Sequence, residues 1–144
     1  MNEIFISYLT EDKKRARLLV EVLEDFGWTV WWENAIPEDP TFDSRIALAK
    51  ERADCVIVLY TKNSLDSVQV KADVSFAEKK HNLIAICYDG LEKDPKFRGI
   101  WHNLSHWSGD GSDKTMLILL NEIYSLIGRP PNRVSARFSR SLSR

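Results

Sequence analysis

No apolar run in this chain approaches the ~20 residues that a bilayer-crossing helix needs, and so the sequence carries no membrane span. The amino terminus lacks a secretory pattern as well. Its first apolar run, Ile4-Phe5-Ile6, is too short and has no basic flank, which leaves the cytoplasm as the expected location. Cysteine is scarce: Cys55 and Cys87 are the two in 144 residues. A zinc site needs more ligands at closer spacing, and both thiols fall inside apolar runs where a small buried side chain is expected. His81, His102 and His106 are scattered, and no metal site is expected among them. There is no internal repeat. Acid is missing from the last 16 positions, which hold Arg129, Arg133, Arg137, Arg140 and Arg144. With those five set aside, residues 1–128 carry a net charge of about −6. An acidic body argues against nucleic acid as the main partner.

What is present is one domain's worth of chain, with 44% hydrophobic and 28% charged residues, enough to build a core without staples. Short apolar runs alternate with amphipathic stretches. Strands are expected at Glu3–Ser7, Trp28–Trp32, Cys55–Tyr60 and Leu83–Tyr88, with a weaker fifth near His102–Ser105. Helices are expected at Glu11–Phe26, Phe42–Arg52, Gln69–Lys80 and Asp113–Ile127. In the first helix, Ala16, Leu19, Leu23 and Phe26 recur at helical spacing, and Gly27 stops it. Ser112 is the expected cap of the last helix, which Gly128 and Pro130-Pro131 end. Asp89–Ile100 reads as irregular and charged, with at most one helical turn. Residues 129–144 read as an Arg/Ser-rich tail or linker, with Val134, Phe138 and Leu142 at a spacing that a docked helix would also show.

Five strands alternating with helices predict a doubly wound, flavodoxin-like parallel sheet in the order 2-1-3-4-5. Strands one and three then flank the switch point, where ligands sit beyond the carboxyl ends of strands. Three loops meet there: Tyr8–Asp12, Glu33–Thr41 and Thr61–Gln69. Trp31 and Trp32 point to opposite faces of the second strand.

These residues resemble the TIR (Toll/interleukin-1 receptor) domain family, its bacterial branch in particular, over residues 1–128. Phe5-Ile6-Ser7-Tyr8 with Asp12 is similar to the family's first box. Gly27-Trp28-Thr29-Val30-Trp31-Trp32-Glu33, then Ile36-Pro37 and Phe42, resembles its second strand and BB loop. Cys55–Tyr60 with Ser64 and Ser67 resembles its third strand and the entry to the third helix. Phe97-Arg98-Gly99-Ile100 and the region of Trp107 are weaker echoes of its last box.

The resemblance implies signalling or bacterial defence, as in innate immunity, and cleavage of NAD+ at the nicotinamide–ribose bond. NAD+ is a substrate on this reading, and no cofactor is implied. The family's catalytic glutamate falls on Asp73 and its tryptophan on Gln69. The glycine of its BB loop falls on Asp39, followed by Pro40. Glycosidic cleavage passes through an oxocarbenium-like state that a carboxylate stabilises. Aspartate keeps the charge on a shorter stem, and a misplacement of about 1 Å costs on the order of a hundredfold. Gln69 removes a stacking face worth about 0.5–1.5 kcal/mol.

Two readings follow. In one, Asp73 is the catalytic acid of a weak or assembly-dependent NAD+ nucleosidase, and Ser7, Tyr8, Glu33, Phe42, Ser67 and Gln69 contact the substrate. In the other, the domain is a non-catalytic adaptor that binds other TIR domains through Ile36, Pro37, Asp39, Pro40 and the surface of the helices after strands three and four. The tail then joins it to a sensor or effector module. On the plainest reading Asp73 is a solvated helix residue paired with Lys71 or Lys80. Phosphorylated receiver domains share the strand order but need an aspartate directly after the third strand, where this chain has Tyr60-Thr61-Lys62.

Overall fold

A computed structural model describes residues 3–32, 42–93, 95 and 97–130, with residues 42–46 described by their backbone alone. The elements run β1 (Glu3–Ser7), α1 (Lys13–Phe26), β2 (Thr29–Trp31), α2 (Phe42–Arg52), β3 (Cys55–Tyr60), α3 (Val68–Lys80), β4 (Leu83–Cys87), β5 (Ile100–Asn103) and α4 (Lys114–Ile127), with a 3-10 turn at Thr10–Asp12 before α1. The five strands form one parallel sheet in the order β2-β1-β3-β4-β5. This is the doubly wound arrangement that the alternation of patterns predicts.

Alternation along the strands divides the core. Ile4 and Ile6 of β1, Cys55, Ile57 and Leu59 of β3, and Ile84 and Ile86 of β4 pack under α1 and α4, against Leu19, Leu23, Met116 and Ile123. Phe5, Val56 and Val58 face the other way, toward Ala49 of α2 and Val70 and Ala77 of α3. Ser7 follows Phe5 by two residues and shares its face. Trp31 stacks on Phe5 at 5.5 Å on the α2–α3 side, while Trp32 packs on the α1–α4 side with Tyr8 at 6.1 Å. Trp28 is fully buried, and its indole N–H donates to the Gly128 carbonyl at 3.4 Å. Gly27 caps α1 with φ at 113°, a conformation that costs a side-chain-bearing residue about 1 kcal/mol or more.

Three local expectations are corrected. The first helix starts later, because Thr10–Asp12 close a 3-10 turn in which Asp12 N–H donates to the Leu9 carbonyl. The fifth strand lies two residues earlier, at Ile100–Asn103, since Asn103 Oδ1 accepts from Ser105 N–H and turns the chain out of the sheet. Asp113, rather than Ser112, caps α4, accepting from Thr115 N–H at 2.8 Å; the Ser112 hydroxyl is occupied, donating to Asp110 Oδ1. Between β4 and β5 no helix forms among the described residues. The expected surface of a helix following strand four is therefore not found there. The tail from Pro131 onward lies outside the described residues.

Candidate functional site at the carboxyl ends of β1 and β3

β1 ends at Ser7 and pairs with β3 in a register that sets Ser7 beside Val58. The Ser7 hydroxyl, facing α3, donates to Asp73 Oδ2 at 2.6 Å. Asp73 lies in the second turn of α3, on the stripe with Val70 and Ala77 that packs against the sheet, and is 3% exposed. Its other oxygen, Oδ1, accepts from Lys50 Nζ of α2 at 2.8 Å. The reading of Asp73 as a solvated residue paired with Lys71 or Lys80 is thus overturned. Helical phase turns it inward, Lys71 is exposed on another face, and Lys80 Nζ donates to the Glu51 carbonyl. Ser7, Lys50 and Asp73 together tie β1, α2 and α3 into one charged and hydrogen-bonded contact.

The other candidate residues stand as follows. Tyr8 is half-buried at the end of β1, with its ring tilted on Trp32. Ser67 caps α3 by accepting from Val70 N–H at 3.2 Å. Gln69 is exposed in the first turn of the same helix, and its neighbour Val68 is 82% exposed. Phe42 opens α2, where the description is of backbone alone. Glu33, Ile36, Pro37, Asp39 and Pro40 fall outside the described residues.

Beside the Ser7–Asp73 contact lies a second polar cluster. Asp12, buried before α1, accepts from Thr61 Oγ1 at 2.7 Å and from Asn63 Nδ2 at 3.0 Å. The turn after β3 closes on itself, as Thr61 N–H donates to Ser64 Oγ and Ser64 Oγ donates to the Leu59 carbonyl. A bidentate pair flanks this turn. Arg15 reaches both oxygens of Asp89, at 2.7 and 3.1 Å, and Lys62 N–H donates to the same carboxylate at 3.0 Å. The hydrogen bonds from Arg15 first, and from the Lys62 backbone second, hold the Asp89 carboxyl down at about 2. The Arg15 guanidinium also stands over the Tyr88 ring at 4.7 Å. Burial pushes the Tyr88 phenol and both thiols, Cys55 and Cys87, upward. Protonated thiols are poor nucleophiles, so neither cysteine is equipped for covalent chemistry. Among the described residues no group of three His, Cys, Asp or Glu is placed to hold a metal ion, and no helix is long and apolar enough to cross a membrane.

Sequence reading missed Lys50, Arg15 and Asp89. Each is joined to its partner across 23 to 74 positions, and no local pattern signals such a pair. Asp12 was legible as part of the first box, but its bond to Thr61 was not.

The arrangement is that of a doubly wound α/β domain whose switch point, between β1 and β3, holds a buried acid. A family profile for the TIR domain matches residues 4–117, and the chain belongs to the TIR domain family. Among solved structures, it is similar to a metazoan TIR-STING receptor from C. gigas in complex with 2',3'-cGAMP, with a TM-score of 0.62 at 20% identity. That alignment covers 88% of this chain and 39% of the receptor chain, and at this identity the likeness speaks for the fold. This chain thus spans about two fifths of that receptor's length. Comparison with curated proteins gave no match.

Proposed function

We propose that this TIR domain is a cytosolic signalling or defence module that self-associates, and that it cleaves NAD+ at the nicotinamide–ribose bond weakly or only when assembled. The observation that carries the reading is the 2.6 Å hydrogen bond between Ser7 and Asp73. It sets a carboxylate at the end of β1, beside the switch point where ligands of such sheets bind. A carboxylate there supplies the negative charge that an oxocarbenium-like ribose needs. Its engagement with Lys50 explains why turnover by the isolated domain is expected to be weak. An ammonium at 2.8 Å already neutralises the charge, and the buried acid acts on substrate once α2 and its lysine shift. Contact with a second TIR domain through the loop before α2 is the event that supplies such a shift. Ser67 and Gln69, at the entry to α3, and Tyr8, after the end of β1, are the described residues proposed to contact the nucleotide.

The second reading, a non-catalytic adaptor acting through TIR–TIR contacts, is favoured by one feature. Both oxygens of Asp73 are occupied and the residue is 3% exposed. On that reading the Ser7–Asp73–Lys50 contact holds elements together and does no chemistry.

The test is release of nicotinamide from NAD+ at high protein concentration, by the natural chain and by Asp73→Ala and Asp73→Glu. Release that vanishes in Asp73→Ala and rises in Asp73→Glu supports the nucleosidase. No release from any of the three leaves the adaptor.

A further inference from the structure

Among the described residues no helix follows β4 before the chain enters β5. Beside α3, a groove of about 330 Å³ opens over β3 and β5, a volume in the range that small ligands fill. One wall is aromatic. Tyr60 and Trp101 stack at 5.5 Å, and Phe97 stands edge-on to both, at 6.4 and 5.3 Å. All three rings are half-buried. Phe97 is seated by Gly99, where a Cβ would lie 2.9 Å from the Leu83 carbonyl and 3.2 Å from the Phe97 ring. The opposite wall is a stripe of α3, Lys71, Val74 and Glu78, and Glu92 comes from the β4–β5 connection. No ion pair to a described residue engages the carboxylates of Glu78 or Glu92.

We propose that this groove binds a small quaternary ammonium compound of about the size of choline. Aromatic faces carry negative electrostatic potential and attract cations without hydrogen bonds. The carboxylates of Glu78 and Glu92 add counter-charge at the same groove. A quaternary head donates no hydrogen bond and is weakly hydrated, so it loses little on entering a wall of rings. A primary ammonium is more strongly hydrated and loses more on leaving water. Lys71 stands about 10 Å along the helix from Glu78, which places the cationic head toward the glutamates and leaves Lys71 for a polar or anionic tail. The groove lies on a different face of α3 from Asp73, and the proposal stands whichever way the NAD+ experiment falls.

Calorimetric titration of the full chain with choline tests it, beside its neutral isostere 3,3-dimethylbutan-1-ol. Saturable choline binding is expected, about tenfold weaker for the isostere and about tenfold weaker in Trp101→Leu. Equal binding of the two compounds, no saturable heat at millimolar choline, or an unaffected Trp101→Leu overturns the proposal. If Trp101→Leu fails to fold by circular dichroism, the surface variant Glu78→Gln/Glu92→Gln decides, and unchanged choline affinity there overturns it. Co-sedimentation with phosphatidylcholine vesicles, competed by choline, assigns the headgroup to a lipid; choline binding without vesicle capture assigns a free solute.

Discussion

Ser7 and Asp73 meet at 2.6 Å across 66 positions of sequence, and Lys50 closes the contact from a third element. Removing one partner of a buried ion pair leaves the other charge without compensation, at a cost of about 3–5 kcal/mol. The Lys50 side chain keeps 20% of its surface exposed, which places Lys50→Met near the lower end, about 3 kcal/mol by urea unfolding. Lys50→Met/Asp73→Asn should lose clearly less than the sum of the two single changes, because the stranded charge is gone. Additive losses would show that the two residues do not interact.

Ser67 separates capping from substrate contact. Ser67→Ala removes the acceptor for Val70 N–H and should cost about 1 kcal/mol of stability. If capping is its whole role, nicotinamide release at a temperature where both proteins are folded stays unchanged. A fall in release without a fall in stability would make Ser67 a substrate ligand.

The Asp89–Arg15 pair predicts an acid limb. The folded carboxyl sits at about 2, below its ordinary 3.8, so the native state holds this proton less tightly than the unfolded chain does. The contribution is complete above pH 4 and disappears as the pH falls from there toward 2. In Asp89→Asn, stability measured by denaturant over that interval should fall less steeply than in the natural protein. An identical slope would show that the pair does not form in solution.

Gly99→Ala should destabilise by about 1–3 kcal/mol, since its Cβ meets a backbone carbonyl that cannot swing aside. The thermal midpoint reads this directly. A neutral result would mean that the β4–β5 connection relaxes freely, and would weaken the case for Phe97 as a fixed wall.

The strand order and α2 and β3 to the residue were readable, because strands buried on both faces are continuous apolar runs and the intervening helices show their own period. Cys55–Tyr60 is the clearest instance. Asp73 was reached through resemblance to the TIR family, but its surroundings were not. Helical phase gives Asp73 the stripe of Val70 and Ala77, and that stripe could have told buried from solvated. Lys50 could not be found, since which lysine of α2 meets α3 depends on how two helices cross. The last helix failed by one residue at its cap, where Asp113 outcompetes Ser112 because the serine is already bound to Asp110. The connection after β4 carried too little periodicity to say that Phe97 would pack against Tyr60 and Trp101.

The bond from Trp28 to the Gly128 carbonyl fixes where α4 ends. Trp28 precedes the first residue of β2, so α4 is fastened at the end of the sheet opposite Ser7 and Asp73. The described chain thus reaches Pro130 at the antipode of the Ser7–Asp73 contact. A fluorescent label placed at the end of α4 sits far from Ser7 and Asp73 and can report on unfolding without disturbing their contact.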